Sequence, residues 1–425
     1  MGVDFSQQSS FFYLESKEFQ MDKKIKILVI PSDRYGCGKF RSVDPHVYIA
    51  EHYKDEFDVE IAYSLQQENL EQYLRQFDII HIHKCLDKEC KVIELAKFLG
   101  LKVIVDVDDH YKLGEDHPMS LTAKKERWHE PIVKSLELAD CATTTTPIYA
   151  EILKKHNKNV MVFPNAIDPS EPQFALPKTK SDKLRVGLIC GSSHLKDIEL
   201  LGNFASQIDL DNVQIVLCGF DTNGTRTIYN AATGEVTRRP ILPQESVWYE
   251  YEKIVTNNYN NVSQAHKDFL MKFLKGVDDD MFPNEAYRRM WTRDISKYAT
   301  HYTNVDVLIA PLKENDFNSV KSPLKVAECG FTHTAFIGQN FGPYSFGITP
   351  MIEKGGKINE NGNALLVDTS KNHKLWAKYI NKLAADREML KKLQDNLYEY
   401  VKDKYSLAKV CEDRVKVYKS LVAED

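Results

Sequence analysis

Lys321, Ser322, Lys325 and Glu328 bring two cations, a hydroxyl and a carboxylate into the short stretch NDFNSVKSPLKVAECG, residues 315–330. In a helix beginning near Ser322, Lys325 and Glu328 share a face while the amides of the first turn point outward. Such amides, with Lys321 beside them, suit an anion. A carboxylate one turn deeper can accept two hydrogen bonds from a vicinal diol. The same string, met alone, also describes an amphipathic helix with a solvated Lys–Glu pair.

A second anion cradle is expected in the turn Gly191-Ser192-Ser193-His194-Leu195-Lys196-Asp197, where two hydroxyls, free amides and Lys196 open a helix. Its Ser, His and Asp lie within six residues of one another and no G-x-S-x-G elbow surrounds them, so phosphate binding is preferred to a hydrolytic triad. Asp106, Asp108 and Asp109 form an acidic group that a hard cation could use. Asp106 reads as structural. Asp108 and Asp109 project beyond the strand if it ends at Val107, either to meet hydroxyl groups or to cap the following loop. His81 and His83, two apart on one strand face, read equally as a ligand or as core histidines.

The elements that must position these groups alternate. Apolar strand candidates at residues 26–31, 58–62, 77–83, 101–107, 140–144 and 160–163 are separated by helix candidates at 45–52, 90–99 and 148–156. Their lack of period-two patterning points to a parallel sheet buried on both faces. Residues 170–183, with prolines and no apolar periodicity, form a linker. The pattern restarts with strands at 184–190, 213–220, 305–310 and 334–337 and helices at 197–206 and 322–329. An insertion at about 221–300 is expected to hold a hairpin at 227–238 and helices at 263–275 and 285–302. Residues 371–422 are helical in pattern, with a final helix at 402–423. The predicted organisation is α/β. An extension at 1–23 precedes a doubly wound first domain at 24–169, completed by that last helix, and a second domain fills 184–401. Ligands in such sheets bind beyond the carboxyl ends of the strands.

The 425 residues exceed one ordinary core, and a composition 43% hydrophobic and 28% charged excludes a disordered chain. With 56 Lys+Arg against 61 Asp+Glu the net charge is −5, so no global field exists to hold nucleic acid, and no nucleic-acid partner is expected. The apolar runs are strand-sized, and the first 22 residues lack the features of a secretory signal. The chain is expected in the cytoplasm. Its eight cysteines contain no CxxC pair, and neither a zinc site nor a disulfide framework is predicted.

Residues 321–330 followed by Ala335-Phe336-Ile337-Gly338 resemble the donor-site motif of retaining glycosyltransferases of family 4, which have the GT-B fold. Further resemblances run in order from about 25 to 420: Gly36-Cys37-Gly38 with Arg41, residues 78–83, 139–146, 163–168 and 362–367. The resemblance implies two Rossmann-like domains facing across a cleft, with the last helix crossing back to the first. It implies retaining transfer of a sugar from a nucleotide diphosphate sugar to a hydroxyl of a glycan or lipid-linked acceptor, without metal or other cofactor. Peripheral contact with the inner face of the cell membrane is part of the same expectation.

By that resemblance, donor contacts are expected from Gly36, Gly38, Ser192, Ser193, His194, Lys196, Lys321, Ser322, Leu324, Lys325 and Glu328, the last on the ribose. Arg41, His110 and His117 are expected on the acceptor, and Asp108, Asp109, Lys196 and Lys321 are the expected catalytic groups. The chain departs from the family where Val320 replaces a second Glu, Gly191 an Arg, and Asp108 a His. Two alternatives stay open: a nucleotide-sugar epimerase on the same scaffold, and a non-catalytic nucleotide-sugar binding module.

Overall fold

Alternate residues of Ile25–Ile30 (β1) enter two different cores. Ile25, Ile27 and Val29 pack with Val410, Cys411, Val415 and Tyr418, whereas Leu28 joins Ile80, Val103 and Leu136 on the other face. A strand covered on both faces has no polar side to show, which explains the unbroken apolar run. The computed structural model describes residues 23–423 apart from 66–67, 88–89, 118, 230–232, 234–235 and 369–372. Most of the N-terminal extension, residues 1–22, and the expected tip of the hairpin therefore lie outside the described residues.

β1 is followed by Phe57–Ile61 (β2), Ile79–His83 (β3), Lys102–Asp106 (β4), Cys141–Thr144 (β5) and Val160–Val162 (β6). They form one parallel sheet in the order β2-β1-β3-β4-β5-β6. The second half carries Leu184–Ile189 (β7), Val213–Phe220 (β8), Thr225–Tyr229 (β9), Val236–Pro240 (β10), Tyr287–Trp291 (β11), Val307–Ala310 (β12), Ala335–Gln339 (β13) and Leu365–Val367 (β14). Its parallel sheet runs β11-β8-β7-β12-β13-β14, and β9 pairs antiparallel with β10 as a separate hairpin. Two parallel α/β sheets are the expected architecture, and the second gains β11 and β14 beyond the four strands expected of it. Leu407–Ala423 crosses back onto the first sheet, tied down by Ile167 N to Tyr405 O and Leu407 N to Ile167 O, both 2.9 Å. No helix among the described residues is long and apolar enough to cross a membrane.

Several elements differ from the expected ones. Residues 285–302 do not form one helix: Tyr287–Trp291 becomes an edge strand, because Arg289 turns inward to a buried partner, and only Tyr298–Asn304 coils, as a 3₁₀ helix. Its guanidinium meets both oxygens of Glu252 at 2.8 and 2.7 Å, and Tyr287 and Tyr259 donate to the same carboxylate. Glu252 lies on Val247–Val255, a helix absent from the sequence reading, capped by Ser246. The expected helix 197–206 breaks into Leu195–Ile198 and two 3₁₀ turns, interrupted at Gly202 with φ +51. The helix expected from Ser322 begins at Leu324 and ends at Phe331. The last helix starts at Leu407, because Arg387–Lys402 forms a helix of its own.

Candidate functional site

The first-domain wall begins where β1 turns at Asp33, whose Oδ1 accepts Tyr35 N at 2.8 Å and Gly38 N at 3.2 Å. A side chain at Gly38 would place its Cβ 2.1 Å from the Asp33 carbonyl oxygen, so the turn requires glycine. Gly36, at φ +37, is exposed. A π-helical turn at Lys39–Val43 then rotates Arg41 inward. Arg41 was expected on the acceptor, and that expectation is corrected. The side chain is fully buried, paired with Asp106 at 2.9 and 2.6 Å, and also bonds the Phe163 carbonyl and Asn165. A guanidinium and a carboxylate taken from water together must satisfy each other, and this pair leaves no donor facing the cleft.

Past β3 and β4 a second polar group forms. His83 Nε2 donates to Asp108 Oδ1 at 3.1 Å, and the Lys84 ammonium reaches Asp108 at 2.7 Å and Asp109 at 3.2 Å. Despite burial, Lys84, His83 and the Cys37 thiol hold the Asp108 carboxyl well below the usual range, while burial pushes the Cys37 thiol up. The Cys37 sulfur and the carboxylates of Asp108 and Asp109 lie within 4.8 Å of one another, a donor set that a cation could use, but the Lys84 ammonium already sits on both carboxylates. His81 is a core histidine, bonded to Tyr418 at 3.1 Å and held neutral by burial. His110 stacks between Tyr111 and Tyr149, centroids 4.8 and 5.9 Å away.

On the second-domain wall, Lys321 lies over the Phe317 ring, 5.1 Å from its centroid, and has no carboxylate partner among the described residues. Ser322 Oγ is buried without a hydrogen-bond partner. The amides of Val326 and Ala327 bond the Pro323 carbonyl at 2.9 and 3.2 Å, closing the first turn of the helix. Leu324 packs into the core beneath, and Lys325 Nζ donates to the Ile189 carbonyl at the end of β7. Glu328 is 5% exposed and accepts Tyr298 Oη at 2.5 Å and Tyr302 Oη at 2.7 Å. Burial raises its pKa; Lys325 and the two phenols oppose the rise.

The Gly191–His194 turn is different in character from the expected cradle. Ser192 and Ser193 are exposed, and the helix that follows has only four residues. Lys196 is paired at 3.0 Å with both oxygens of Glu199. Asp197 brings a buried carboxylate to the same place, accepting Lys313 N at 2.8 Å and Asn318 Nδ2 at 3.0 Å, with His194 Nδ1 at 2.7 Å.

Between the walls lies a cavity of about 140 Å³, lined by Asp109, His117, Ser193, Lys196, Phe317 and Lys321 among others. The domains meet around it: Lys313 pairs with Asp116 at 2.7 Å, His117 faces Phe317 at 5.8 Å, and Val320 is buried in the first-domain core. Of the expected groups, Asp109, His117, Ser193, Lys196 and Lys321 share this cavity. Lys325 and Glu328 are held by their own partners, and Arg41 lies in the first-domain core. Lys84, Tyr298, Tyr302 and Asn318 are additions the sequence reading lacked. Lys84 alone carried a signal there, as the residue directly after an apolar strand.

No protein-family model matches the chain, and no curated protein sequence matches it. Solved structures do. A glycosyltransferase from Rickettsia africae superposes with TM-score 0.60 at 12% identity, covering 95% of this chain and 100% of its own. HepE of Anabaena, solved with UDP and glucose, gives 0.58 at 12% over 93% and 100%. Sucrose-phosphate synthase from Thermosynechococcus elongatus gives 0.56 at 15% over 95% and 100%. At such identities the likeness concerns backbone alone, and over nearly its whole length this chain has the GT-B fold of those glycosyltransferases.

Proposed function

We propose that the chain is a glycosyltransferase that moves a sugar from a nucleotide diphosphate sugar to a hydroxyl of a glycan or lipid-linked acceptor. The observation that carries this reading is the cavity between the two sheets, with Lys321 on one wall and Asp109 and His117 on the other. HepE, which has the same fold, was solved with UDP and glucose. Transfer needs a stabilised leaving group, an oriented hydroxyl and exclusion of water, and two facing domains can supply all three.

In this reading Lys321, which has no carboxylate partner among the described residues, neutralises the diphosphate, with Lys196 at the cavity rim. Ser322 Oγ, buried without a partner, supplies a hydroxyl beside it. Glu328 meets the ribose by exchanging a phenol for a diol. Retention follows from the family resemblance: front-face attack, in which the departing phosphate takes the acceptor proton, asks for no protein nucleophile. Lysine side chains stabilise the departing charge in place of a metal. We place the reaction in the cytoplasm, on acceptors presented at the inner membrane face.

The test begins with thermal shift against UDP, GDP and ADP, because a ligand bound only to the folded chain raises its melting point. The stabilising nucleotide then selects the sugar donors for assay with and without acceptors, in EDTA. Transfer that persists in EDTA and falls in Lys321→Ala supports the reading. Conversion of donor without acceptor indicates an epimerase, and tight binding without turnover indicates a binding module.

A further inference from the structure

We propose that Lys84 is the positioning residue of a sugar-hydroxyl subsite on the first-domain wall, and that Asp109 is the group in it that touches the ligand. This rests on the glycosyl-transfer reading above and names the groups that would recognise the acceptor.

Lys84 stands at the carboxyl end of β3 with φ +53, in the left-handed region that a lysine rarely occupies. Backbone held there persists only where its surroundings enforce it, and such positions gather at functional sites. Here Lys84 N continues the ladder to the Asp106 carbonyl at 3.0 Å, and the left-handed turn sends the ammonium to Asp108 and Asp109. The two carboxylates it bridges are not equivalent. Asp108 is 4% exposed and shared among His83, Lys84 and Cys37, so it has nothing left for a ligand. Asp109 has a side chain 34% exposed, and it lines the cavity opposite Lys321. Its Oδ2 is held by Lys84, its carbonyl accepts Tyr149 Oη at 2.6 Å, and its Oδ1 has no partner among the described residues.

The result is an oxygen that only accepts, fixed from behind and facing the cleft. A phosphate is repelled by it and drawn to the lysine wall opposite. A hydroxyl can donate to it. The chemistry recognised on this side is therefore that of a polyhydroxylated acceptor, with Lys84 acting through Asp109.

Steady-state transfer from UDP-glucose to a panel of p-nitrophenyl glycosides tests this, with melting points taken alongside. Lys84→Met should raise the acceptor KM by about tenfold and leave the UDP-glucose KM within about twofold. Lys84→Arg, which keeps the charge, should recover most of the loss, and Asp109→Asn should repeat the Lys84→Met profile. Lys84→Gly relieves the backbone and should melt no lower than Lys84→Met while being as impaired toward acceptor. An unchanged acceptor KM in Lys84→Met, no rescue by arginine, or equal rises in both KM values with a falling melting point would each overturn the proposal. A wild-type chain stabilised by UDP that glycosylates none of the panel also overturns it. If no nucleotide stabilises the chain, it is instead the glycosyl-transfer reading that fails.

Discussion

Tyr298 donates its phenolic hydroxyl to Oε1 of Glu328 at 2.5 Å, so a carboxylate expected on a ribose already holds a hydroxyl where a diol would bind. The Tyr298 ring packs edge-on against Phe40 of the first domain and Phe174 of the linker, centroids 6.4 and 6.2 Å away. If the ribose replaces this phenol, Tyr298→Phe removes a competitor and leaves the ring packing intact. UDP affinity measured by calorimetry is expected to stay within about threefold in Tyr298→Phe and to fall at least about tenfold in Glu328→Gln, which loses a charge-assisted hydrogen bond.

Acid should destabilise the fold through buried histidines. Burial, with Arg414 near His46 and Arg293 near His301, lowers both pKa values to about 3. Between that value and about 6.5 the unfolded chain binds protons that the native chain refuses, so stability is present above pH 6.5 and is lost as pH falls. At pH 5 the loss is about 2 kcal/mol for each histidine. Urea midpoints measured at pH 7.5, 6 and 5 should fall in that order, and a flat profile would contradict the buried neutral state.

Arg41→Met should behave as a core mutation. Removing one partner of a buried ion pair leaves Asp106 uncompensated, at a cost of about 3–5 kcal/mol. Urea denaturation is expected to register that loss. A variant of normal stability with an impaired acceptor KM would return Arg41 to the cleft.

Val320→Asp should separate the domains. The native side chain is fully buried among first-domain residues although it belongs to the second domain. The substitution forfeits about 1.5 kcal/mol or more of apolar burial and leaves a carboxylate in an apolar site. Small-angle scattering should show a radius of gyration above the roughly 22 Å expected of a compact chain of this length.

Strand positions were legible wherever both faces of a sheet are covered, as in β1, β3 and β8, because an apolar run of that length has few other uses. Tyr287–Trp291 was not. Its arginines look like surface residues until Glu252, 37 positions from Arg289, is seen to take the charge. The site divides in the same way. Lys321 and Asp109 stand out from their local surroundings, one beside a helix start and the other past a strand end. Arg41 was misread because its partner Asp106 lies 65 positions away, and an arginine shortly after a Gly-Cys-Gly turn in isolation suggests ligand binding. Lys84 has the same difficulty: its meaning comes from Asp108 and Asp109 on the neighbouring strand's exit.

Leu407–Ala423 seals one face of the sheet whose first strand is Ile25–Ile30, so a ribosome completes the whole second sheet before the first can close. The earlier half of the chain must wait with Ile25, Ile27 and Val29 uncovered, and the two halves cannot finish folding in the order in which they are made. During synthesis, the greasy underside of the first sheet is where a chaperone would have most to hold.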